Sequence, residues 1–152
     1  RIIIFDHYNT KLDISKHIKS LEKSANEILS REKPNLFSKI FLDSPLEVNL
    51  INDNQIKELN KIRRNKDKST DVLSWDFLNE GLNKKESIGE VYISIDTAKK
   101  QAEVKGHTLE YEIMFLLIHG LLHIFGYDHN TDQEEEEMNE IQAEILKSIA
   151  KS

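Results

Sequence analysis

The sequence predicts an α+β fold, a single domain in which helices cover a small mixed β-sheet. Short β-branched and apolar segments typical of strands lie in the first two thirds of the chain, and longer segments with helical periodicity lie between and after them. No internal repeat or low-complexity linker interrupts the 152 residues, a length sufficient to bury one core. We therefore expect one domain over residues 1–152, with a buried histidine-bearing helix and an acidic C-terminal helix.

Strands are predicted from β-branched or alternating segments. They cover residues 2–5, 46–50, 72–77 and 88–95. The second alternates strictly between apolar and polar side chains, which indicates a half-buried strand. The segment 72–77, a third or fourth strand, contains the only tryptophan, Trp75, and the segment 88–95 places Val91, Ile93 and Ile95 on one face. The apolar residues 40–42 and the polar connection 81–87 lie between these strands.

Apolar residues recur at helical spacing in four further segments, which predicts helices that pack on the sheet. The segments are residues 13–30, residues 54–63, a segment from a cap at Ser94 or Asp96 to Gly106, and a final helix opened by the capping box Thr131-x-x-Glu134. The second of them is capped by Asn52 or Asp53 and is expected to bury Ile56, Leu59 and Ile62. The final helix docks by its apolar side and leaves its glutamates mostly in water.

The most informative helix follows Thr108, which caps it, and ends before Gly126. From Ile113 to Phe125 this segment is almost wholly apolar, which indicates a helix buried on nearly all sides. The exceptions are His119, Gly120 and His123. Two imidazoles inside such a helix require an explanation.

The spacing of three histidines predicts a metal site. His119 and His123 lie one helical turn apart and leave the same face of the helix. Gly126 can adopt the left-handed conformation that reverses the chain, so that His129 returns toward that face. Three neutral imidazoles suit zinc first, one ion per chain, although another first-row divalent metal is compatible.

One position in this motif argues against a peptidase. The spacing H-x-x-x-H-x-x-G-x-x-H equals that of the metzincin peptidases, whose first histidine is followed by a glutamate that acts as general base. Here Gly120 occupies that position and cannot transfer a proton. A zinc metallopeptidase therefore remains only an alternative.

Charge and composition limit the partners and the compartment. The net charge is −6, and residues 132–152 alone contain seven carboxylates and two lysines, so most of the acidity lies in the C-terminal helix. A basic cluster lies elsewhere and can contact phosphates, although a solvated surface is the commoner explanation of such a run. Its members are Lys57, Lys61, Arg63, Arg64, Lys66 and Lys68. Cysteine is absent and no signal segment is evident, so we expect a cytoplasmic protein that does not associate with membranes.

Three blocks of the chain resemble the YbeY family, the bacterial endoribonucleases of ribosomal RNA maturation. They are H-G-L-L-H-I-F-G-Y-D-H at 119–129, L-N-K-I-R-R-N-K-D-K-S-T-D-V-L-S-W at 59–75 and G-E-V-Y-I at 89–93. The resemblance covers roughly the C-terminal two thirds of the chain. Trp75, Asp76 and Glu90 depart from it, since the family usually has Phe, often Pro and typically Asp at these positions.

The resemblance implies a zinc ion held by His119, His123 and His129, and a phosphate-facing arginine at Arg64. The implied activity is zinc-dependent, single-strand-specific cleavage of RNA in the maturation of small-subunit (16S) ribosomal RNA and in ribosome quality control, with the small ribosomal subunit as partner. Candidate catalytic residues are Arg64, His119 and Asp128. Asp128 either accepts a hydrogen bond beside the third ligand or steers the metal-bound water, or it serves as a turn residue. A non-catalytic ribosome-associated zinc protein is the remaining alternative.

Overall fold

A four-stranded mixed sheet forms the centre of the molecule. The computed structural model describes residues 1–34, 44–77 and 87–150, so the predictions for residues 40–42 and for most of 81–87 lie outside the described residues. The strands are β1 (Ile2–Asp6), β2 (Leu46–Ile51), β3 (Val72–Asp76) and β4 (Gly89–Ser94). Their order is β1-β2-β4-β3. β1, β2 and β4 run parallel to one another, and β3 pairs antiparallel with β4. The predicted mixed sheet is therefore confirmed.

Helices cover both faces of this sheet. They are α1 (Ser15–Glu32), α2 (Asp53–Arg64), α3 (Ile95–Lys105), α4 (Leu109–Ile124) and α5 (Asp132–Ala150). The main core joins α1, α4 and α5 to one face of the sheet. On the other face, α2 packs over a smaller cluster of Ile51, Ile56 and Leu73. No helix in the described ranges is long and apolar enough to cross a membrane.

The predicted core of α2 is partly wrong. Ile56 is buried, whereas Ile62 is 71% exposed. Asn60 is buried instead, and its side-chain amide donates a hydrogen bond to the Lys68 carbonyl at 2.9 Å. The helix therefore uses an asparagine to fix the loop that leads from Arg64 to β3, a role that an apolar periodicity does not reveal.

Two strand predictions also need correction. β2 is not half buried, because it lies between β1 and β4 and its residues from Val48 to Ile51 are all buried. Ile95 does not belong to β4 but begins α3, since the Ser94 hydroxyl caps that helix by accepting a hydrogen bond from the Thr97 N–H. The predicted cap at Ser94 is thereby confirmed.

Candidate metal centre and cleft

The close packing of α4 on β4 explains the glycine beside the first histidine. A Cβ atom at position 120 would lie 2.9 Å from Cγ1 and 3.0 Å from Cγ2 of Val91. Valine is stiff because of its β-branch, so it cannot swing away. The helix therefore requires glycine here for packing, and a glutamate at this position would have no room on the side of β4.

The end of α4 reverses the chain as predicted. Gly126 has a φ of +91°, and its N–H donates to the His123 carbonyl at 3.0 Å. The Tyr127 N–H donates to the Leu122 carbonyl, also at 3.0 Å. These two bonds form a Schellman motif, which satisfies the last carbonyls of the helix and directs the following residues back along it.

This reversal brings the three predicted histidines together. One ligand nitrogen from each of His119, His123 and His129 lies within 4.8 Å of the others. Nε2 of His119 and Nε2 of His123 are 3.1 Å apart. Two nitrogens bound to a tetrahedral zinc at about 2.0–2.1 Å would be about 3.3 Å apart, so the separation of this pair fits a shared ion. The three imidazoles thus form a group that could hold a metal ion, and no carboxylate belongs to that group among the described residues.

Neighbouring groups orient two of the rings. His119 is hydrogen-bonded to the side chain of Gln142 on α5. Because the Gln142 amide nitrogen donates to the Phe115 carbonyl at 3.2 Å, its oxygen remains to accept from the imidazole. His123 is hydrogen-bonded to the backbone of Tyr127. Partners of this kind fix the ring orientation of metal-binding histidines.

Burial keeps these two imidazoles uncharged. Desolvation lowers the pKa of His119 and of His123 below the ordinary value of 6.5, and for His123 the neighbouring imidazoles lower the pKa further. Both rings are therefore neutral at pH 7. A neutral imidazole presents the lone pair that a metal ion needs.

Asp128 lies where the third histidine enters the site. Its carboxylate accepts hydrogen bonds from the His129 backbone N–H at 2.8 Å and from the Asn130 side chain at 2.8 Å. The same carboxylate is 3.3 Å from Nδ1 of His129. Asp128 therefore supports the turn and also contacts the imidazole ring of His129.

Arg64 lies in the same cleft as the histidines. The cleft has a volume of about 550 Å³ and is lined by Arg64, Asp71, Val72, Ser74, Asp76, His119, Gly120, His123, Ile124, Asp128 and His129. Arg64 ends α2, on the opposite face of the sheet, and approaches the cleft at the outer strand β3. The structure thus joins all five predicted site residues in one cavity.

Two residues near the cleft were missed from the sequence. Gln142 is 4% exposed and occupies a position on α5 whose neighbours Met138 and Ile145 are core residues. A lone amide at such a position is the signal that could have identified it. The sequence assigns Trp75 no role in the site, although the guanidinium carbons of Arg63 and Arg64 lie 4.7 Å and 5.6 Å from its ring centre.

Comparisons with known proteins identify the family to which this fold and cleft belong. The family model for "Endoribonuclease YbeY" matches residues 5–150. The chain therefore belongs to the YbeY family of endoribonucleases and is a nuclease.

Individual relatives agree with the family match. An endoribonuclease YbeY of Acholeplasma laidlawii is 48% identical over 111 residues, which cover 73% of this chain and 79% of that protein. An endoribonuclease YbeY of Acetivibrio thermocellus is 36% identical, and the alignment covers 97% of this chain and 96% of that protein. The solution structure of TM1509 from Thermotoga maritima superposes with a TM-score of 0.63 at 29% identity, covering 98% of this chain and 89% of that one.

Proposed function

We propose that this chain is a zinc-dependent endoribonuclease that cleaves single-stranded ribosomal RNA during maturation of the small subunit. His119, His123 and His129 bind the metal ion, and Arg64 binds the phosphate at the cleavage point. The observation that carries the proposal is that this arginine and the three imidazoles line one cleft. The proposed partner is the small ribosomal subunit, whose RNA is the substrate.

The donor set is suited to zinc chemistry. Three imidazoles without a fourth protein ligand leave one coordination position open, which distinguishes a catalytic site from a structural one. A zinc ion held by these imidazoles would supply Lewis-acid chemistry and would lower the pKa of bound water to about 7. Among the described residues the group contains no fourth side chain, which supports catalysis over a structural role.

Arg64 contributes an electrostatic function that needs no proton transfer. Its guanidinium presents several N–H donors in a fixed plane, which match the oxygens of a phosphodiester. Charge builds on those oxygens as the bond breaks, and a positive group already in position stabilises it. Asp128 acts on the reaction indirectly, by holding the His129 backbone and ring in place.

The first test pairs metal analysis with an RNA cleavage assay on wild type, Arg64→Ala and His119→Ala. Arg64→Ala should lower cleavage by about 100-fold or more, because a charge-stabilising donor is lost, while zinc stays at about one ion per chain. His119→Ala should lose both zinc and cleavage. Lys16→Ala provides the control, since Lys16 is exposed at the start of α1 and does not line the cleft.

Unchanged cleavage by Arg64→Ala would remove that residue from the mechanism, and full cleavage by zinc-free protein would remove the metal. The partner is tested by sedimentation with purified ribosomal subunits, where we expect binding to the small subunit in preference to the large one. The peptidase alternative would return only if zinc-loaded protein cleaved peptides and left RNA intact. Gly120 argues against it, because the packing of Val91 leaves no space for a general base there.

A further inference from the structure

A cation-aromatic platform lies beside the metal cleft. The guanidinium carbon of Arg63 is 4.7 Å from the ring centre of Trp75 and 5.5 Å from that of Tyr92. Glu90 holds this arrangement, since its carboxylate lies 3.7 Å from Nη1 of Arg63 and accepts a hydrogen bond from the Tyr92 hydroxyl at 2.5 Å. Arg63 is therefore fixed in position and partly covers the tryptophan.

The platform lies on the other face of the sheet from the histidines, next to its edge. Successive residues of β3 point to opposite faces, so Ser74 and Asp76 line the metal cleft while Trp75 faces α2. β3 is an outer strand of the sheet, with β4 as its paired neighbour. A nucleic-acid strand with a phosphate bound at Arg64 would therefore run beside β3 to reach the platform.

A second, smaller cleft connects the two faces. It has a volume of about 330 Å³ and is lined by Arg63, Arg64, Ser74, Trp75 and Asp76. Arg64, Ser74 and Asp76 also line the metal cleft. The two cavities therefore share a wall, and Arg64 is the cationic side chain of that wall.

We propose that Arg63 and Trp75 form a nucleobase subsite, in which the base next to the phosphate bound by Arg64 stacks. The inference rests on the proposed function and adds a substrate-binding subsite to it. Single-stranded RNA binds proteins through bases stacked on aromatic rings or on guanidinium planes, together with cationic contacts to the backbone. Here both elements are adjacent, with the stacking group on one side of Arg64 and the metal group on the other. The subsite explains a preference for unpaired RNA, because a base within a duplex cannot reach this surface.

The sole tryptophan makes the subsite directly observable. Metal-free full-length protein is titrated with a single-stranded oligoribonucleotide and, separately, with an abasic oligomer of the same length, while tryptophan fluorescence is followed. We expect saturable quenching by the base-bearing oligomer and at least about tenfold weaker binding of the abasic one, as loss of one stacked base implies. Equal binding and equal quenching by both oligomers would overturn the proposal without any variant.

Variants separate stacking from a purely structural role. Binding is measured here with a dye-labelled oligomer, because these proteins lack the tryptophan. Trp75→Ala should weaken binding of the base-bearing oligomer by about tenfold and leave binding of the abasic oligomer nearly unchanged. Trp75→Phe, which keeps an aromatic ring, should restore most of the affinity. Equal losses for both oligomers, or no loss for either, would reject the subsite.

These experiments distinguish failure of the nucleobase subsite from failure of the proposed function. If zinc-loaded protein fails to cleave RNA but shows base-dependent quenching, the catalytic proposal falls while the subsite stands. If cleavage depends on Arg64 but Trp75→Ala binds and cleaves like wild type, the subsite falls alone. Tyr111→Ala is the control, because this 39% exposed aromatic lies at the start of α4 and lines neither cleft.

Discussion

A single amide on α5 determines how the first histidine is presented. Gln142 is buried, donates to the Phe115 carbonyl and is hydrogen-bonded to His119. The glutamine thus links α5 to the ring without itself reaching the metal position. Such partners commonly influence metal affinity nearly as strongly as the ligands do.

Replacing this amide by an apolar side chain of similar size should weaken metal binding without unfolding the protein. For Gln142→Leu we expect about 10-fold to 100-fold lower zinc affinity, because the His119 ring loses its fixed orientation. Competition with a chelating dye measures the affinity, and circular dichroism checks the fold. Gln133→Leu, the same substitution at an exposed position of α5, is the control and should leave zinc affinity unchanged. Equal affinities of wild type and Gln142→Leu would contradict the assigned role.

At the scale of elements, two contacts determine how the helices join the sheet. The first is the close approach of α4 to β4 at Gly120 and Val91. The second is the polar junction where Asp53, at the start of α2, accepts hydrogen bonds from the hydroxyls of Ser94 and Thr97 at 2.5 and 2.7 Å. Each contact joins segments far apart in the chain, so each stabilises the tertiary arrangement rather than a single helix.

Adding a methyl group at position 120 should destabilise the fold. Gly120→Ala should cost about 1–3 kcal/mol of unfolding free energy, because the new Cβ meets Val91. In a Val91→Ala background the same change should cost clearly less, since the opposing methyl groups are gone. Denaturant unfolding of both single variants and the double variant measures this coupling.

The control for this cycle is Gly106→Ala. Gly106 has a φ of +74°, and a Cβ added there would meet no atom within 4 Å, so the cost of this substitution comes from backbone strain. That cost should simply add to the cost of Val91→Ala. Additive effects for Gly120→Ala as well would show that packing against Val91 does not require the glycine.

The junction at Asp53 should make stability depend on pH. Burial acts to raise the pKa of Asp53, but hydrogen bonds from Ser94, Thr97 and Ser69 outweigh it and lower the pKa below 3.8. The depressed pKa means that the ionised carboxylate stabilises the fold above the unfolded-state pKa, and that this stability is lost as pH falls through the folded-state value.

For Asp53→Asn we expect a loss of about 1–3 kcal/mol at pH 7, and a difference from wild type that shrinks as pH falls below about 4. Urea unfolding across this pH range provides the measurement. Asp67→Asn is the matched control, since that side chain is 67% exposed and lies 4.0 Å from Lys57. A penalty for Asp53→Asn that stays constant with pH would contradict the assigned pKa shift.

At the scale of the whole molecule, opposite charges lie on different elements. The chain carries −6 in total, but the carboxylates concentrate on α5 while basic residues concentrate at the end of α2 and in the loop after it. The basic residues there are exposed and flank Arg64 in the chain, and Arg64 itself lines the cleft. A net negative protein can therefore still offer a cationic surface to RNA.

RNA binding should accordingly weaken as salt rises. For a single strand the logarithm of the binding constant falls with the logarithm of salt concentration, with a slope of about −0.7 for each phosphate neutralised. Arg64→Ala should reduce that slope by about 0.7, while Lys16→Ala leaves it unchanged. Fluorescence titrations at several salt concentrations measure both slopes. Binding that does not respond to salt would exclude phosphate contacts as its source.

The sequence by itself determined the features that depend on neighbours along the chain. The convergence of His119, His123 and His129 follows from helical spacing plus a left-handed Gly126, and the caps at Thr108 and Ser94 follow from local hydrogen bonding. Each involves residues no more than ten positions apart in the chain, where spacing and a local turn fix the geometry. The mixed α+β architecture was predictable for the same reason, because strand and helix periodicities are local.

Only the tertiary structure decided which distant elements meet. It joined Arg64 to the histidine cleft at the sheet edge, brought Gln142 to His119, and turned Trp75 toward the opposite face. It also left Ile62 exposed, although its spacing predicted burial. These outcomes depend on strand order and on the way helices pack, and neither is encoded in the periodicity of one segment. Whether a side chain is buried depends on which residues of other segments pack against it, and those contacts form only when the whole chain folds.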